Sequence, residues 1–236
     1  MEKLRLDKYI STCTGISRSD TRKIILQGLV TVDGTVIKKI DTKVTDTQDV
    51  TYNGKKLNYS KYVYIMLNKP KDVVCATQDK NDVTVIDLVK KEYSNRNLFP
   101  AGRLDKDSTG FVLLTDDGEF AHNILSPKKH IAKTYIVEVD DVLTEKVVQG
   151  FANGVTLADG SLMKSAILNI INEKTAEIII TQGVYHQIKR MLGVFNLGVV
   201  NLKRIKIGDV SLDNNLSLGD YRLLTKDELD SITMFG

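Results

Sequence analysis

The chain has 236 residues, of which 42% are hydrophobic and 27% are charged, and its formal net charge is +3. This composition is typical of an ordinary soluble globular protein with one or two domains and a substantial core. A membrane-spanning chain is excluded, because no apolar run approaches the roughly 20 residues that cross a bilayer. The charged N-terminus MEKLRLDKYI also lacks the apolar core of a signal peptide. We therefore expect a cytoplasmic protein that makes no membrane contact.

The cysteines and histidines form no pattern that predicts a disulfide framework or a metal cluster. Cys13 and Cys75 are lone thiols in unrelated contexts, unlike the spaced cysteine pairs of zinc sites. His122, His130 and His186 have no nearby cysteine and no regular spacing. We expect no bound metal.

The N-terminal quarter predicts a compact module of short helices and strands. Apolar spacing indicates a helix over residues 4–13, and Ser17 with Asp20 resembles the capping box of a second helix that ends before Gly28. Short strands with hairpin turns at Asp33-Gly34 and Asn53-Gly54 are predicted at residues 29–32, 36–40 and 49–52.

This module also holds the basic excess of the chain. Residues 1–60 contain 11 Lys and Arg against 7 Asp and Glu, whereas the remainder contains 22 against 23. Arg18 and Arg22 lie one helical turn apart, so they share a face. Such a face suits a phosphate backbone, although clusters of this kind often do no more than solvate a helix.

The rest of the chain predicts an α+β body with a largely antiparallel sheet, because strands outnumber helices without regular βαβ alternation. Residues 55–61 look like a linker, which predicts domains over residues 1–58 and 62–236. Strands are predicted at residues 62–67, 73–76, 111–114, 133–139, 163–171, 176–181 and 199–207. Helices are predicted at residues 84–91, 118–125, 144–151, 184–196 and 225–232, with Ser126-Pro127 ending the second of these.

The segment Phe99–Gly118 concentrates unusual chemistry. Gly102 and Gly110 bracket a charged loop that precedes an apolar strand, a context in which a rigid scaffold presents reactive groups. The alternative is a solvated turn before a core strand. Asp105 and Asp107 are about 6–7 Å apart in an extended chain, a separation that also suits the carboxylate pair of a carbohydrate hydrolase.

A single aspartate nucleophile beside a cation is the better physical hypothesis. A carboxylate can form a covalent intermediate at an electron-poor carbon, but burial suppresses the anion unless a positive partner compensates. The candidate cations are Lys189, Arg190 and Arg103. Tyr135 could stack on a base or hold a proton, although it also fits a core strand aromatic. No phosphate-binding glycine loop and no nucleophile elbow occurs in the sequence.

Five motifs in order resemble RNA pseudouridine synthases of the ribosomal RNA branch, and the small-subunit (16S) type is the most similar. They cover nearly the whole chain: ISRSDTRKIILQGLVTVDG within an RNA-binding module at residues 3–57, NKP at 68–70, GRLDKDSTG with TDDGE at 102–119, KTY at 133–135, and GVYHQIKRM at 183–191.

The resemblance implies a role for each site residue. Asp105 is implied as the catalytic carboxylate, Tyr135 as the residue that stacks on the target uracil, and Lys189 as the cation paired with Asp105. Arg103 is implied to hold the RNA or fill the space of the flipped nucleotide. RNA-backbone contacts in the N-terminal module are implied for Arg5, Arg18, Arg22 and Lys23.

The same resemblance implies an isomerase that needs no cofactor and acts on ribosomal RNA or a pre-ribosomal particle. We also expect a monomer. Two residues depart from the family pattern: Asp72 replaces a common glycine and Val184 a common arginine. Two alternatives remain: a large-subunit (23S) rRNA enzyme, and a non-catalytic RNA-binding or ribosome-assembly factor.

Overall fold

The computed structural model describes residues 3–126 and 129–233, and these residues form two compact units. The first unit contains the chain up to Val63 together with Val89–Leu98. The second unit contains Tyr64–Leu88 and the chain from Phe99 onward.

The first unit combines two neighbouring helices with short strands. Its elements in chain order are β1 (Leu4–Arg5), α1 (Leu6–Thr14), α2 (Arg18–Leu26), β2 (Val30–Val32), β3 (Thr35–Val36), β4 (Lys43–Val44), β5 (Val50–Tyr52) and β6 (Lys55–Lys56). Strand β1 pairs with β4, and the other strands form an antiparallel sheet in the order β3-β2-β5-β6.

Local sequence signals explain where these elements begin and end. Ser17 is the N-cap of α2, and its hydroxyl accepts a hydrogen bond from the Asp20 backbone N–H at 3.2 Å, which confirms the predicted cap. Gly15 ends α1 in the left-handed conformation, with φ +74°. The helices and the sheet bury a shared apolar core, formed by Leu6, Tyr9, Ile10, Ile25, Val30, Val32, Val44 and Val50.

The predicted strand at residues 36–40 was wrong beyond Val36. The backbone N–H and the hydroxyl of Thr42 both donate to the Lys39 carbonyl, so the chain turns there. The predicted strand is therefore reduced to the two residues of β3, Thr35–Val36.

The second unit is built on one large sheet, whose strands within the described residues follow the order β11-β12-β10-β13-β9-β7-β15. Two short strands join this sheet at its middle, with β8 on β9 and β14 on β13. The strands are β7 (Tyr64–Lys69), β8 (Phe99–Pro100), β9 (Thr109–Thr115), β10 (Lys133–Val139), β11 (Ile167–Asn172), β12 (Thr175–Ile180), β13 (Val199–Ile207), β14 (Val210–Ser211) and β15 (Tyr221–Leu223). Among the pairings between these named strands, only that of β13 with β9 is parallel.

The helices of the body pack around this sheet. Helix α3 (Val85–Tyr93) has residues in both units, whereas α4 (Gly118–Leu125), α5 (Glu145–Asn153), α6 (Gln187–Gly193) and α7 (Lys226–Thr233) belong to the second. The carboxylate of Asp117 caps α4 by accepting from the backbone N–H groups of Glu119 and Phe120, each at 3.1 Å. Strands β10 and β13 and helix α4 have their predicted bounds. Pro127, predicted to end α4 together with Ser126, lies outside the described residues.

Three other predicted elements were partly wrong because distant partners determine them. Residues 73–76 contribute a single bridge, Val74 to Thr84, rather than a strand. The strand predicted from Met163 begins at Ile167, because the backbone N–H of Met163 donates a hydrogen bond to the Val155 carbonyl instead of to a neighbouring strand. Helix α6 is shorter than the predicted span of residues 184–196.

A buried apolar layer joins α4 and α7 to the sheet around Phe111, Leu113, Phe120, Ile124 and Ile232. The predicted α+β class with a largely antiparallel sheet is confirmed. Within residues 3–126 and 129–233, no helix has the length and apolarity needed to cross a membrane.

Candidate active site

The loop that carries Asp105 leaves and rejoins the sheet through two glycines with positive φ. Gly102 has φ +102° and Gly110 has φ +101°, a region that side-chain-bearing residues rarely adopt. A Cβ atom at Gly110 would also overlap the carbonyl oxygen of Arg204, where β9 and β13 pair. Glycine is therefore required at Gly110 for conformation and for space.

A buried lysine holds this loop from below. The Nζ atom of Lys69 donates to the carbonyl oxygens of Pro70 at 2.9 Å, Lys106 at 3.2 Å and Ser108 at 2.7 Å. Burial lowers the pKa of Lys69, although nearby acidic groups that include Asp107 and Asp105 oppose the shift. The ammonium group thus links the turn after β7 to both sides of Asp107.

Asp72 keeps the turn for which the family pattern has glycine. Its φ is +64°, in the left-handed region that aspartate tolerates better than most residues. Its backbone N–H donates to the Lys106 carbonyl at 2.9 Å. This departure therefore leaves the turn attached to the Asp105 loop.

Helix α6 brings Lys189 to both aspartates of the loop. The Nζ atom of Lys189 lies 3.2 Å from Asp105 Oδ2, and 2.6 and 2.8 Å from the two carboxylate oxygens of Asp107. Lys189 is therefore shared, and its shorter contacts are to Asp107. Asp105 is the better shielded of the two carboxylates, because its side chain is 25% exposed and that of Asp107 is 68% exposed.

The charges of this cluster stabilise one another. Burial acts to lower the pKa of Lys189, but its hydrogen bonds to Asp107 and Asp105 outweigh burial and leave the pKa raised. The hydrogen bond from Lys189 lowers the pKa of Asp107. Lys189 accordingly stays protonated, and a charged lysine stabilises an anionic carboxylate beside it.

His186 lies on the other side of Asp105. Its Nε2 atom is 3.4 Å from Asp105 Oδ1. His186 is the N-cap of α6 and has φ +50°, a left-handed conformation that is uncommon for residues other than glycine. Asp105 thus lies between a lysine and an imidazole.

The other candidate cations go elsewhere. Arg190 pairs with Asp159 through its Nη2 atom. Arg103 is exposed, and no ion pair to it is found among the described residues. Of the three cations proposed from the sequence, Lys189 is therefore the one in contact with Asp105.

Tyr135 is placed by the register of the sheet. Direct Cα pairings align Tyr135 with Arg204, Arg204 with Gly110, and Gly110 with Lys69. Because paired residues on adjacent strands point to the same face, Tyr135 lies on the face where Lys69 supports the Asp105 loop. Its side chain is buried.

The first unit gathers three of the predicted RNA-binding arginines around one buried carboxylate. The side chain of Asp7 is fully buried and accepts hydrogen bonds from Arg5, Arg18 and Arg22 at 3.1–3.3 Å. The arginine side chains themselves remain 44–51% exposed. Lys23 pairs separately with Asp20 at 2.9 Å.

Two family patterns match the chain. The RNA pseudouridylate synthase family matches residues 63–193, and the S4 domain matches residues 4–50. The chain belongs to the RNA pseudouridine synthase family. The synthase pattern spans Asp105, Tyr135 and Lys189, and the S4 pattern spans the arginines around Asp7.

Known proteins resemble this synthase over nearly its whole length. An RNA pseudouridine synthase of Bacillus subtilis, YtzG, is 40% identical and covers 96% of this chain and 97% of its own. Ribosomal small subunit pseudouridine synthase A of Yersinia pestis is 40% identical over 97% of this chain and 98% of its own, and that of Escherichia coli K12 is 39% identical over 97% and 100%. The crystal structure of a pseudouridylate synthase superposes with a TM-score of 0.70 at 38% identity, covering 97% of this chain and 99% of the other.

Sequence reasoning about the synthase missed Lys69 and His186 as neighbours of the reactive loop. Both lie inside quoted motifs, NKP and GVYHQIKRM, so their signal was present. His186 was considered only as a metal ligand, and Lys69 only as part of the NKP motif. Asp7 was also missed, because nothing in a helical pattern marks one acidic residue as buried.

Proposed function

We propose that this synthase converts a specific uridine of small-subunit (16S) ribosomal RNA into pseudouridine. The observation that carries the proposal is the contact between Asp105 and Lys189 within the segment that matches the family. The small-subunit substrate is supported by relatives of that name, which share both the S4 region and the catalytic region with this chain.

In the proposed mechanism the target uridine leaves the RNA stack and enters the site. The lost stacking costs roughly a few kcal/mol, as in other base-flipping enzymes, and the cost is smallest when the RNA loop is already distorted. Tyr135 stacks on the uracil. Asp105 attacks as an anion, either at carbon 1′ of the ribose or at the uracil ring. Lys189, whose Nζ atom lies 3.2 Å from the carboxylate, stabilises its negative charge.

The bonds then balance without a cofactor. The bond from nitrogen 1 to carbon 1′ breaks, the uracil rotates, and a bond from carbon 5 to carbon 1′ forms. The bond that Asp105 formed then breaks, either as carbon 5 displaces the carboxylate from carbon 1′ or by elimination from the uracil ring, and the free carboxylate is restored. A base removes the proton from carbon 5, and nitrogen 1 gains one. Because nothing is oxidised, reduced or transferred to another molecule, no redox or group-carrying cofactor is required.

The N-terminal region, over residues 1–58, supplies affinity in this proposal, and residues 62–236 carry the chemistry. Arg5, Arg18 and Arg22 present exposed side chains to phosphates, with Lys23 adding a fourth charge. Arg103 is exposed beside Asp105 and is assigned to the RNA near the flipped nucleotide. A cytoplasmic location follows from the proposed ribosomal substrate.

The test is carbodiimide-modified primer extension along both ribosomal RNAs from a strain that lacks the protein. We expect one pseudouridine stop to disappear from the small-subunit RNA. A stop lost instead from the large-subunit RNA would favour the 23S enzyme, and no lost stop would favour the assembly factor.

Complementation then tests the nucleophile. The wild-type gene and Asp141→Asn, an exposed control in the same unit, should restore the stop. Asp105→Asn should not restore it, although the variant should still bind the RNA. Restoration by Asp105→Asn would remove Asp105 from the role of nucleophile.

A further inference from the structure

One aromatic side chain stands out by its exposure. Tyr185 is 75% exposed, and it is the only exposed aromatic among the residues whose burial the structure describes. The other tyrosines and phenylalanines in that part of the chain are buried or half-buried. An aromatic ring left in water loses the free energy that burial would provide, so its position calls for an explanation.

Tyr185 lies directly beside the reactive loop. Its ring stacks on His186, with centroids 3.8 Å apart and an angle of 17° between the planes. His186 in turn reaches Asp105 at 3.4 Å. The left-handed backbone of His186 sets the direction of this pair at the start of α6. One face of Tyr185 is thus covered by the imidazole, and its high exposure leaves the other face open.

We propose that the open face of Tyr185 binds an unpaired nucleobase next to the target uridine in the RNA chain. This inference rests on the proposed function, which supplies an RNA substrate. A base placed there would continue the stack of two rings, Tyr185 and His186, that already exists. Proteins commonly recognise splayed-out RNA bases by stacking them on aromatic side chains.

The geometry separates this base from the reacting one. His186 reaches Asp105 through its Nε2 atom, whereas Tyr185 covers a face of the imidazole. A base on the outer face of Tyr185 is therefore separated from the imidazole that contacts Asp105 by the whole phenol ring, and we place it outside reach of the carboxylate. The occupant is therefore a neighbour of the flipped uridine. Flipping exposes the faces of neighbouring bases, and Tyr185 replaces part of the stacking that is lost.

Steady-state kinetics test the inference. The substrate is a small-subunit rRNA transcript labelled with tritium at uracil carbon 5, and the rate of tritium release is measured. Tyr185→Ala should raise KM roughly 5- to 150-fold, the equivalent of about 1–3 kcal/mol per stacked base, and leave kcat within a factor of two. Tyr185→Phe should behave like wild type, because stacking needs the ring and not the hydroxyl. Tyr185→Leu should resemble Tyr185→Ala.

A matched control is Leu162→Ala, which removes an exposed apolar side chain elsewhere in the same unit and should leave KM unchanged. An abasic scan on either side of the modified uridine then locates the partner. Removing the correct base should raise KM for wild type and abolish the difference between wild type and Tyr185→Ala.

Three results would overturn the inference: an unchanged KM for Tyr185→Ala, a Tyr185→Leu enzyme as good as Tyr185→Phe, or a fall in kcat alone. The last result would mean that Tyr185 acts only by positioning His186. If wild-type enzyme releases no tritium from this transcript, either free or assembled with the small-subunit proteins, the proposed substrate has failed rather than the stacking site.

Discussion

Replacing Asp7 with asparagine should destabilise helices α1 and α2 by about 2–3 kcal/mol at neutral pH. Burial acts to raise the pKa of Asp7, but hydrogen bonds from Arg5, Arg22 and Arg18 outweigh burial and leave the pKa at about 2 instead of 3.8. Each unit of difference between the folded and unfolded pKa corresponds to about 1.4 kcal/mol. The shift therefore converts to roughly 2–3 kcal/mol of stability at pH values well above 4.

The direction of the pH dependence follows from the lowered pKa. The unfolded chain takes up a proton on Asp7 near pH 4 and the folded chain only near pH 2. The contribution of Asp7 is therefore fully present above pH 4 and is lost as the pH falls toward 2. In Asp7→Asn this contribution is absent at every pH.

Hydrogen exchange of the α1 and α2 amides in the full chain measures this effect. The free energy of opening should be about 2–3 kcal/mol lower in Asp7→Asn than in wild type at pH 7, and the difference should shrink as the pH approaches 2. Asp46→Asn is the matched control, because Asp46 is an exposed carboxylate of the same unit that lies outside both helices. Equal opening free energies for Asp7→Asn and wild type would refute the reasoning.

The same variant separates positioning from charge in RNA binding. Asp7→Asn removes a negative charge beside three arginines, so attraction by net charge alone predicts tighter binding to RNA. Without the shared anchor we expect weaker binding, and the log–log salt slope should fall by roughly 0.7–0.9 for each phosphate that the arginines no longer bind. Tighter binding by a folded Asp7→Asn would show that the carboxylate does not orient the arginines.

Further variants test the site and its supports. Lys189→Met should lower kcat/KM for tritium release roughly 10²- to 10³-fold, the usual loss for one electrostatic partner. Asp107→Asn should stay within several-fold of wild type, because Lys189 keeps its contact with Asp105. A larger loss in Asp107→Asn than in Lys189→Met would show that Lys189 is not the functional partner of Asp105. Gly110→Ala should lower the free energy of unfolding by about 1–3 kcal/mol or more, because the new methyl group overlaps the backbone of β13. Thermal unfolding measures the loss as a lower melting temperature. Burial, with the charge of Arg204, lowers the pKa of Lys133 to about 8. Lys133→Met should therefore be more stable than wild type below pH 8, by a margin in urea unfolding that narrows toward pH 10, and a pH-independent margin would contradict the assignment.

Elements with strong local signals were predictable from the sequence. Strand β10 has alternating apolar residues, and helix α4 begins at a capping aspartate and ends before Ser126. Their bounds match the prediction because dihedral preference, capping and apolar periodicity agree over short spans. Strands β14 and β15 were missed because they have only two and three residues. Long-range pairing, such as that of β15 with β7, creates them.

The candidate site divides in the same way. Asp105 could be singled out from its motif. Helical position alone could not rank the adjacent Lys189 and Arg190, and only the family resemblance implied Lys189. Their side chains leave the same helix in different directions, and the fold directs one to Asp105 and the other to Asp159. The sharing of Lys189 with Asp107 was equally invisible, because it depends on how α6 meets the loop.

By itself, the sequence determined the family, the fold class and the residue types available for chemistry, since these depend on motifs, on apolar patterns and on composition. Only the tertiary structure decided which charges meet. The register of β7, β9, β13 and β10 aligns Lys69, Gly110, Arg204 and Tyr135, and the packing of α1 against α2 closes three arginines around Asp7. The physical reason is that two charges interact strongly only when they lie within a few ångströms of each other. Most of the residues that meet here are far apart along the chain, so the fold sets their distances.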